Sequence, residues 1–232
     1  MSRRRTAPSG WAVVVPVKRL ALAKSRLAAF GDDNRERLAL AFAQDVVRAA
    51  VGCELVRRVL VVTDDRAAAA TLAALGAEVE ADLPAAGLNP ALEHGVALLR
   101  EAGGRPGVAT VSGDLPCLRP RDLTAALLLT TQRSFVADSA GSGTTLLAAV
   151  AGVPLRPAYG PGSAALHRAS GARELDVAPR LRRDVDTPDD LSEAVALGVG
   201  ASTAAVVAGL DLAAAGSSSG GGRSPRQGTM HR

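Results

Sequence analysis

Short runs of consecutive apolar residues alternate along the chain with longer segments in which apolar residues recur at helical spacing. The runs at 11–17 (WAVVVPV), 59–62 (VLVV) and 108–111 (VATV) contain no charged residue. Such runs are typical of strands buried on both faces of a parallel sheet. Helical spacing marks the segments 32–51, 66–75 and 90–102. This alternation predicts an α/β fold, with a mostly parallel sheet flanked by helices.

Capping and turn residues place the other predicted elements. Asp32 or Asp33 is positioned to cap the first helix. A short strand is expected at 77–80, before a loop that contains proline and glycine. The remaining elements are a helix over 120–130, strands over 134–139 and 144–150, and a short helix over 162–170.

The clearest element boundary lies near the end of the pattern. A strand is predicted to reach Asp186, and Thr187 and Pro188 then have the positions of an N-cap and a first helical residue. Asp190 lies three residues after Thr187, as in a capping box. Because ligands of such sheets bind at the carboxyl ends of strands, the loops after the strands are where a site is expected.

Charge argues against a nucleic-acid partner, although the formal net charge is +4. Six arginines lie in the two terminal stretches, which contain no acidic residue. Removing these six from the 27 basic residues leaves 21 against 23 acidic ones. The predicted folded part therefore has no excess of positive charge to bind a polyanion. The length and composition predict one α/β domain over 11–215, with disordered ends at 1–10 and 216–232.

Cysteine usage and hydropathy indicate a cytoplasmic protein. Cys53 and Cys117 have no metal-ligand spacing and are interpreted as plain buried thiols in a reducing compartment. No apolar segment of signal-peptide type follows the N-terminal arginines, and no apolar run has the length of a membrane span. A membrane partner is therefore not expected.

Four cations follow the first predicted strand. Lys18, Arg19, Lys24 and Arg26 lie within nine positions, in the loop where a doubly wound sheet holds a nucleotide's phosphates. Neither a P-loop nor a Rossmann glycine motif is present. A solvated charged surface is the alternative interpretation.

Two aspartates are placed at predicted strand ends. Asp114 belongs to the tetrapeptide GDLP after the third apolar run, and Asp186 precedes the capping box. Magnesium binds through one or two carboxylates together with substrate phosphates, so the pair is a candidate Mg²⁺ site. An ordinary turn aspartate and an accessory to the helix cap are the alternatives.

No nucleophile with a matched base is recognisable. His94 and His167 lie on predicted helices and are interpreted as packing or surface residues, and no G-x-S-x-G elbow occurs. An ionised phosphate oxygen that attacks by itself needs cations and positioning rather than a general base.

These motifs together resemble a known family. PVKRLALAKSRL, GLNPAL, GDLP and DVDTPDDL, in this order and spacing, resemble the CofC/FbiD guanylyltransferases of deazaflavin coenzyme (F-420) biosynthesis, over residues 11–200. The resemblance implies a Rossmann-like (GT-A-like) nucleotidyltransferase fold. It also implies that a phosphate oxygen of phosphoenolpyruvate or 2-phospho-L-lactate attacks the α-phosphorus of GTP and releases pyrophosphate.

The resemblance also implies roles for single residues. Asp114 and Asp186 would hold Mg²⁺, and Lys18, Lys24 and Arg26 would neutralise the triphosphate. Leu88 and Asn89 would lie against the nucleoside, and Thr145, Gly160 and Ser163 would bind the phosphorylated acid. A homodimer through edge strands and transfer of the product to the next enzyme of the coenzyme pathway are further expectations.

The assignment of Thr145, Gly160 and Ser163 to the phosphorylated acid also has a physical rationale. Gly160 and Ser163 precede or begin a short predicted helix, whose free N–H groups would attract an anion. A Ser163 hydroxyl that only caps its own helix is the alternative.

Two other functions remain open from the sequence. A molybdopterin or sugar-phosphate nucleotidyltransferase is one, although such enzymes carry a glycine-rich first loop and this chain has no glycine between Trp11 and Phe30. A non-catalytic nucleotide-binding protein is the other, against which the two aspartates and the cationic loop argue.

Overall fold

A mixed sheet runs through the centre of the molecule. The computed structural model describes residues 10–83, 85–101 and 106–210. Within these residues the strands are Trp11–Pro16 (β1), Val56–Val62 (β2), Glu78–Glu80 (β3), Gly107–Val111 (β4), Arg133–Ala137 (β5), Thr144–Ala149 (β6) and Arg173–Glu174 (β7). Their order is β3-β2-β1-β4-β6-β5-β7. All neighbouring pairs are parallel except those of β6, which runs antiparallel to β4 and β5. The mostly parallel sheet predicted from the sequence is confirmed.

Helices cover both faces of this sheet. They are Asp32–Val51 (α1), Arg66–Ala73 (α2), Leu88–Glu101 (α3), Pro120–Leu129 (α4), Ser163–Ala169 (α5), Pro188–Leu197 (α6) and Ala201–Val207 (α7). Short 3₁₀ segments lie at Leu20–Leu22, Ser25–Phe30 and Pro179–Leu181. Val13 and Val15 of β1 pack with α1, α2 and α4, whereas Ala12 and Val14 pack with α3 and α5. Both faces of β1 are therefore buried, which explains its continuous apolar run.

Small aliphatic side chains make up most of the core. Phe42 and Phe135 are the largest fully buried side chains, and alanine, valine and leucine fill most of the remainder. Gly95 lets α3 approach the sheet closely, because a Cβ there would lie 3.0 Å from Val14 Cγ1. This close packing holds α3 against β1 and β2.

Two local predictions are wrong, and one predicted loop contains short helical segments that were not predicted. No strand precedes Asp186, because this segment is held by a single backbone bond from Val185 N to Asp114 O of 3.1 Å instead of a ladder. Asp32 and Asp33 lie in the first turn of α1, and Gly31 is its N-cap. The loop after β1 contains two 3₁₀ segments.

The capping box before α6 is confirmed. The Thr187 hydroxyl accepts from Asp190 N, and the Asp190 carboxylate accepts from Thr187 N. The predicted disordered ends lie outside the described residues, apart from Gly10. No helix in the described part of the chain is long and apolar enough to cross a membrane.

Candidate active site

A pocket of about 470 Å³ opens at the carboxyl edge of β1 and β4. The loop after β1, the turn after β4, the start of α3 and the segment before α6 form its walls. Six of the residues predicted from the sequence line it together: Lys18, Lys24, Arg26, Leu88, Asp114 and Asp186. Lys24 and Asp186, which lie 162 residues apart along the chain, therefore share one cavity with the other cations and carboxylates.

Lys24 lies between the two aspartates. Its Nζ donates to Asp114 Oδ2 at 2.5 Å and to Asp186 Oδ1 at 2.7 Å, and its side chain is only 11% exposed. Burial by itself lowers the pKa of Lys24, but the two carboxylates outweigh it and raise the pKa above its usual value. Lys24 therefore carries its charge throughout the physiological range. Its backbone is left-handed, at φ 54° and ψ 42°, which a non-glycine residue adopts only when its surroundings enforce it.

Two side chains, one of them buried, fix the backbone that leads to Lys24. Arg35 of α1 donates from Nη1 to Leu20 O at 3.1 Å and to Ala23 O at 2.5 Å. Asp65, the N-cap of α2, accepts from Leu20 N at 2.9 Å. Sequence reasoning missed both, because their partners lie 15 and 45 residues away. Asp65 had a recognisable signal as a helix cap; Arg35 had none.

A close approach of two strand ends places Asp114. A Cβ at Gly113 would lie 2.9 Å from Pro16 O, so only glycine brings the turn after β4 this near the end of β1. Asp114 Oδ1 is buried and has no hydrogen-bond partner among the described residues. A buried carboxylate oxygen without a partner is costly unless a cation binds it.

The carboxylates fit a divalent cation whose other ligands come from a substrate. Asp186 faces Lys24, Arg26 and Lys18; burial works to raise its pKa, but these cations, Lys24 first, lower it below its usual value. No group of three metal-binding side chains occurs among the residues that the structure describes. Two carboxylates without further protein ligands match the way Mg²⁺ binds with substrate phosphates and water.

A third aspartate lies beside this pair. Asp184 is partly buried, and burial, followed by the charges of Asp114 and Asp138, raises its pKa to about 7. Sequence reasoning passed over it, although the alternation of acids in DVD was a visible signal. Burial in the first place, and the neighbouring carboxylates in the second, therefore oppose the ionisation of Asp184.

The predicted acid-binding residues lie outside this pocket but next to its wall. Ser112 of the pocket donates its N–H to Thr145 O at 2.9 Å. The Thr145 hydroxyl donates to Leu181 O at 2.7 Å, and the Ser163 hydroxyl donates to Thr144 Oγ1 at 3.1 Å. Both hydroxyls are buried, so the exposed part of this region is the turn at Gly160, which has φ 137°.

The start of α5 differs from the sequence expectation. Its first N–H groups are already bonded: Ser163 N to Gly160 O, Ala164 N to Ser142 O and Ala165 N to Gly162 O, at 3.0 to 3.1 Å. The predicted free N–H groups are absent at these three residues, because the preceding turn and the β5–β6 connection supply acceptors.

The two residues predicted to lie against the nucleoside separate. Leu88 lines the pocket and is 36% exposed. Asn89 is half-buried and points to the loop before α5, where its side-chain amide bonds to the backbone of Tyr159.

Sequence relatives agree with this chemistry. The family described as guanylyl transferase CofC like matches residues 11–224. A phosphoenolpyruvate guanylyltransferase of Thermomonospora curvata is 55% identical over 202 residues, which cover 85% of this chain and 89% of the relative. A protein of the same name from Streptomyces coelicolor is 55% identical over 208 residues, which cover 88% of this chain and 98% of the relative.

Solved structures agree with the fold. A candidate nucleotide-diphospho-sugar transferase from Desulfovibrio desulfuricans superimposes with a TM-score of 0.58 at 17% identity, over 80% of this chain and 85% of that one. A Mycobacterium tuberculosis protein in complex with manganese has a TM-score of 0.50 at 22% identity, over 82% of this chain and 100% of that one. The expected nucleotidyltransferase fold is confirmed. Because the family match spans most of its length, the chain belongs to the CofC-like guanylyl transferases.

Proposed function

We propose that the protein transfers GMP from GTP to the phosphate of phosphoenolpyruvate and releases pyrophosphate, as a step in the biosynthesis of coenzyme F-420. A phosphate oxygen of the acid forms the new bond to the α-phosphorus, and the bond between that phosphorus and the β-phosphate oxygen breaks. The pocket in which three cations face two aspartates supports this most directly. The names of the relatives support the choice of acid.

The chain's own residues supply charge and position. Lys18, Lys24 and Arg26 neutralise the triphosphate and the departing pyrophosphate, whose negative charge is concentrated as it leaves. Asp114 and Asp186 would hold Mg²⁺, which supplies charge stabilisation at the reacting phosphate. No general base is needed, because the attacking phosphate oxygen is already ionised.

The phosphorylated acid binds at the exposed turn around Gly160. Ser163 follows this turn, and its buried hydroxyl donates to Thr144 Oγ1, whereas the buried hydroxyl of Thr145 donates to Leu181 O. Leu88, which lines the pocket, contributes an apolar surface for the nucleoside. In this proposal the acceptor meets the nucleotide beside Ser112, which lines the pocket and bonds to the backbone of Thr145.

Pyrophosphate release with a panel of acids tests the proposal. With GTP and Mg²⁺, phosphoenolpyruvate is expected to give the highest kcat/KM, with 2-phospho-L-lactate used less well and 3-phosphoglycerate poorly. The difference between the first two rests on shape at one carbon and is worth about 1 to 3 kcal/mol. A higher kcat/KM for another acid would reject the acceptor, and no release with any acid would reject the transferase.

The metal site is tested by removing one charge at a time. Asp114→Asn and Asp186→Asn are expected to lower turnover by orders of magnitude at limiting Mg²⁺ while folding is retained. Asp33→Asn, an exposed acid of α1, is the control. Near-normal turnover of both site variants would disprove the assignment.

A cytoplasmic location, a homodimer and transfer of the product to the next enzyme remain predictions.

A further inference from the structure

Asn89 makes two hydrogen bonds to a single residue of the loop before α5. Its Nδ2 donates to Tyr159 O at 3.0 Å, and its Oδ1 accepts from Tyr159 N at 2.7 Å. The two bonds join residues 70 positions apart and satisfy both backbone groups of Tyr159. A paired amide contact of this kind fixes the orientation of the peptide as well as its distance.

Two further side chains hold the same short segment. The Tyr159 hydroxyl shares a hydrogen bond of 2.7 Å with Thr110 Oγ1 of β4. His167 of α5 accepts from Ala158 N at its Nε2 at 3.0 Å and contacts Thr144 Oγ1 through Nδ1 at 2.9 Å. Because Nε2 accepts, the ring hydrogen of neutral His167 is on Nδ1 and is donated to Thr144.

The held segment ends at the turn proposed to bind the acid. Gly160 follows Tyr159 directly, is exposed and has φ 137°, a conformation that other residues adopt only with strain. Without the contacts to Ala158 and Tyr159, a glycine at this position would be free to sample many conformations. Fixing the preceding residues removes that freedom before a ligand arrives, which is how preorganisation improves affinity.

Asn89 also connects this turn to the nucleotide pocket. Its neighbour Leu88 lines the pocket, and both residues belong to the first turn of α3. A displacement of the start of α3 therefore moves the Leu88 surface and the support of the Gly160 turn together.

We infer that Asn89 is a positioning residue that presets the Gly160 turn for the phosphorylated acid, instead of serving primarily as a nucleoside contact. This inference rests on the proposed function, because it takes the Gly160 turn as the acceptor site. It differs from the sequence expectation, in which Asn89 belongs with Leu88 against the nucleoside.

The KM values of the two substrates separate these roles. Asn89→Ala is expected to raise the KM for phosphoenolpyruvate about tenfold, because two hydrogen bonds that shape the site are lost. The KM for GTP and kcat should change less than about twofold. Asn89→Asp retains the acceptor for Tyr159 N but places a carboxylate oxygen against Tyr159 O, so its effect on the acid should be at least as large.

Arg100→Met is the matched control. Arg100 joins the other end of α3 to the same connection, donating from Nη2 to Val153 O at 2.8 Å. Its loss should lower stability slightly and leave the KM for the acid unchanged. An equal rise of that KM in Arg100→Met, or a rise confined to GTP in Asn89→Ala, would overturn the inference.

Hydrogen exchange measures the support of the turn without turnover. In full-length Asn89→Ala, the amides of residues 158–160 and 162 should exchange at least about tenfold faster than in the wild type, and those of β1 should not. Unchanged exchange would overturn the inference even if the enzyme is active. If Asn89→Ala exchanges faster but the wild-type enzyme uses no phosphorylated acid, the proposed function is rejected. The role of the turn as an acceptor site is then rejected with it.

Discussion

Lys18 and Lys24 are the only lysines in a chain with 25 arginines, and both line the pocket. Lys24 shows why an ammonium group is suited to this position. Its Nζ fits between Asp114 and Asp186 at 2.5 and 2.7 Å, whereas a planar guanidinium is wider and binds each carboxylate side-on. Arginine would keep the charge and lose the fit.

Lys24→Arg is therefore expected to behave as a severe substitution. We expect kcat for pyrophosphate release to fall at least about tenfold, because the larger head group separates the two aspartates. Arg26→Lys is the comparison, since Arg26 acts on Asp186 at longer range, and its loss should be clearly smaller. Equal effects of the two substitutions on kcat would show that charge alone is required at position 24.

The sequence predicted the charged residues of the pocket better than the residues that position them. Lys18, Lys24, Asp114 and Asp186 follow or adjoin strand ends or a helix cap, and such places are recognisable from a one-dimensional pattern. The anchoring role of Arg35 was not recognisable, because its carbonyl partners in the loop after β1 carry no side-chain signal. The inward orientation of the Thr145 and Ser163 hydroxyls likewise depends on neighbours that only the fold supplies.

Elements with strong local signals were predictable, and those defined by distant partners were not. The buried strand β1 and the capping box of α6 required only neighbouring residues. The segment before Asp186 is predicted as a strand, but its backbone makes one bond to the turn after β4. Among the described residues, no strand forms a ladder with this segment.

The junction of β1 with the turn after β4 is sensitive to one methyl group. A Cβ at residue 113 would lie 2.9 Å from Pro16 O, a backbone atom that cannot move without moving β1. Gly113→Ala should lower the free energy of unfolding by about 1 to 3 kcal/mol in urea titrations and displace Asp114, with a loss of activity. Gly209→Ala, whose Cβ would have its nearest neighbour at 3.7 Å, should change neither. A fully active and stable Gly113→Ala would contradict the close approach.

The connection between α5 and β6 makes stability depend on pH. Burial, with a contribution from the charge of Arg133, lowers the pKa of His167 from 6.5 to about 4. The unfolded chain therefore binds a proton between these values that the folded chain does not, so stability is lost as pH falls from about 6.5 to 4. The contribution is up to about 3 kcal/mol. Urea titrations over this range should show that the free energy of unfolding depends less on pH in His167→Asn than in the wild type. An unchanged pH dependence would assign the effect to other groups.

At the scale of the whole molecule, charge and apolar surface are distributed differently. The terminal arginines account for more than the entire positive net charge, whereas the apolar contacts lie within the two faces of the sheet and the cluster around α6 and α7. The α7 helix is held by Asp45 of α1, which accepts from Ser202 N at 3.0 Å and Thr203 N at 2.9 Å. Among the described residues, α7 is therefore the last element along the chain that packs on the domain.

Removing residues 217–232 tests where the folded domain ends. The family match continues to residue 224, but the stretch SSSGGGRSPRQGTMHR has one methionine as its only large apolar residue. Such a composition cannot offset the entropy of ordering, so the truncated protein should keep both the wild-type Tm and the wild-type kcat/KM. Asp45→Asn provides the contrast, because it leaves the start of α7 with a weaker acceptor at a buried position and should lower the free energy of unfolding by about 1 to 3 kcal/mol. A Tm of the truncated protein reduced as much as that of Asp45→Asn would show that the tail packs on the domain, and a reduced kcat/KM at unchanged Tm would show that its arginines act at the site.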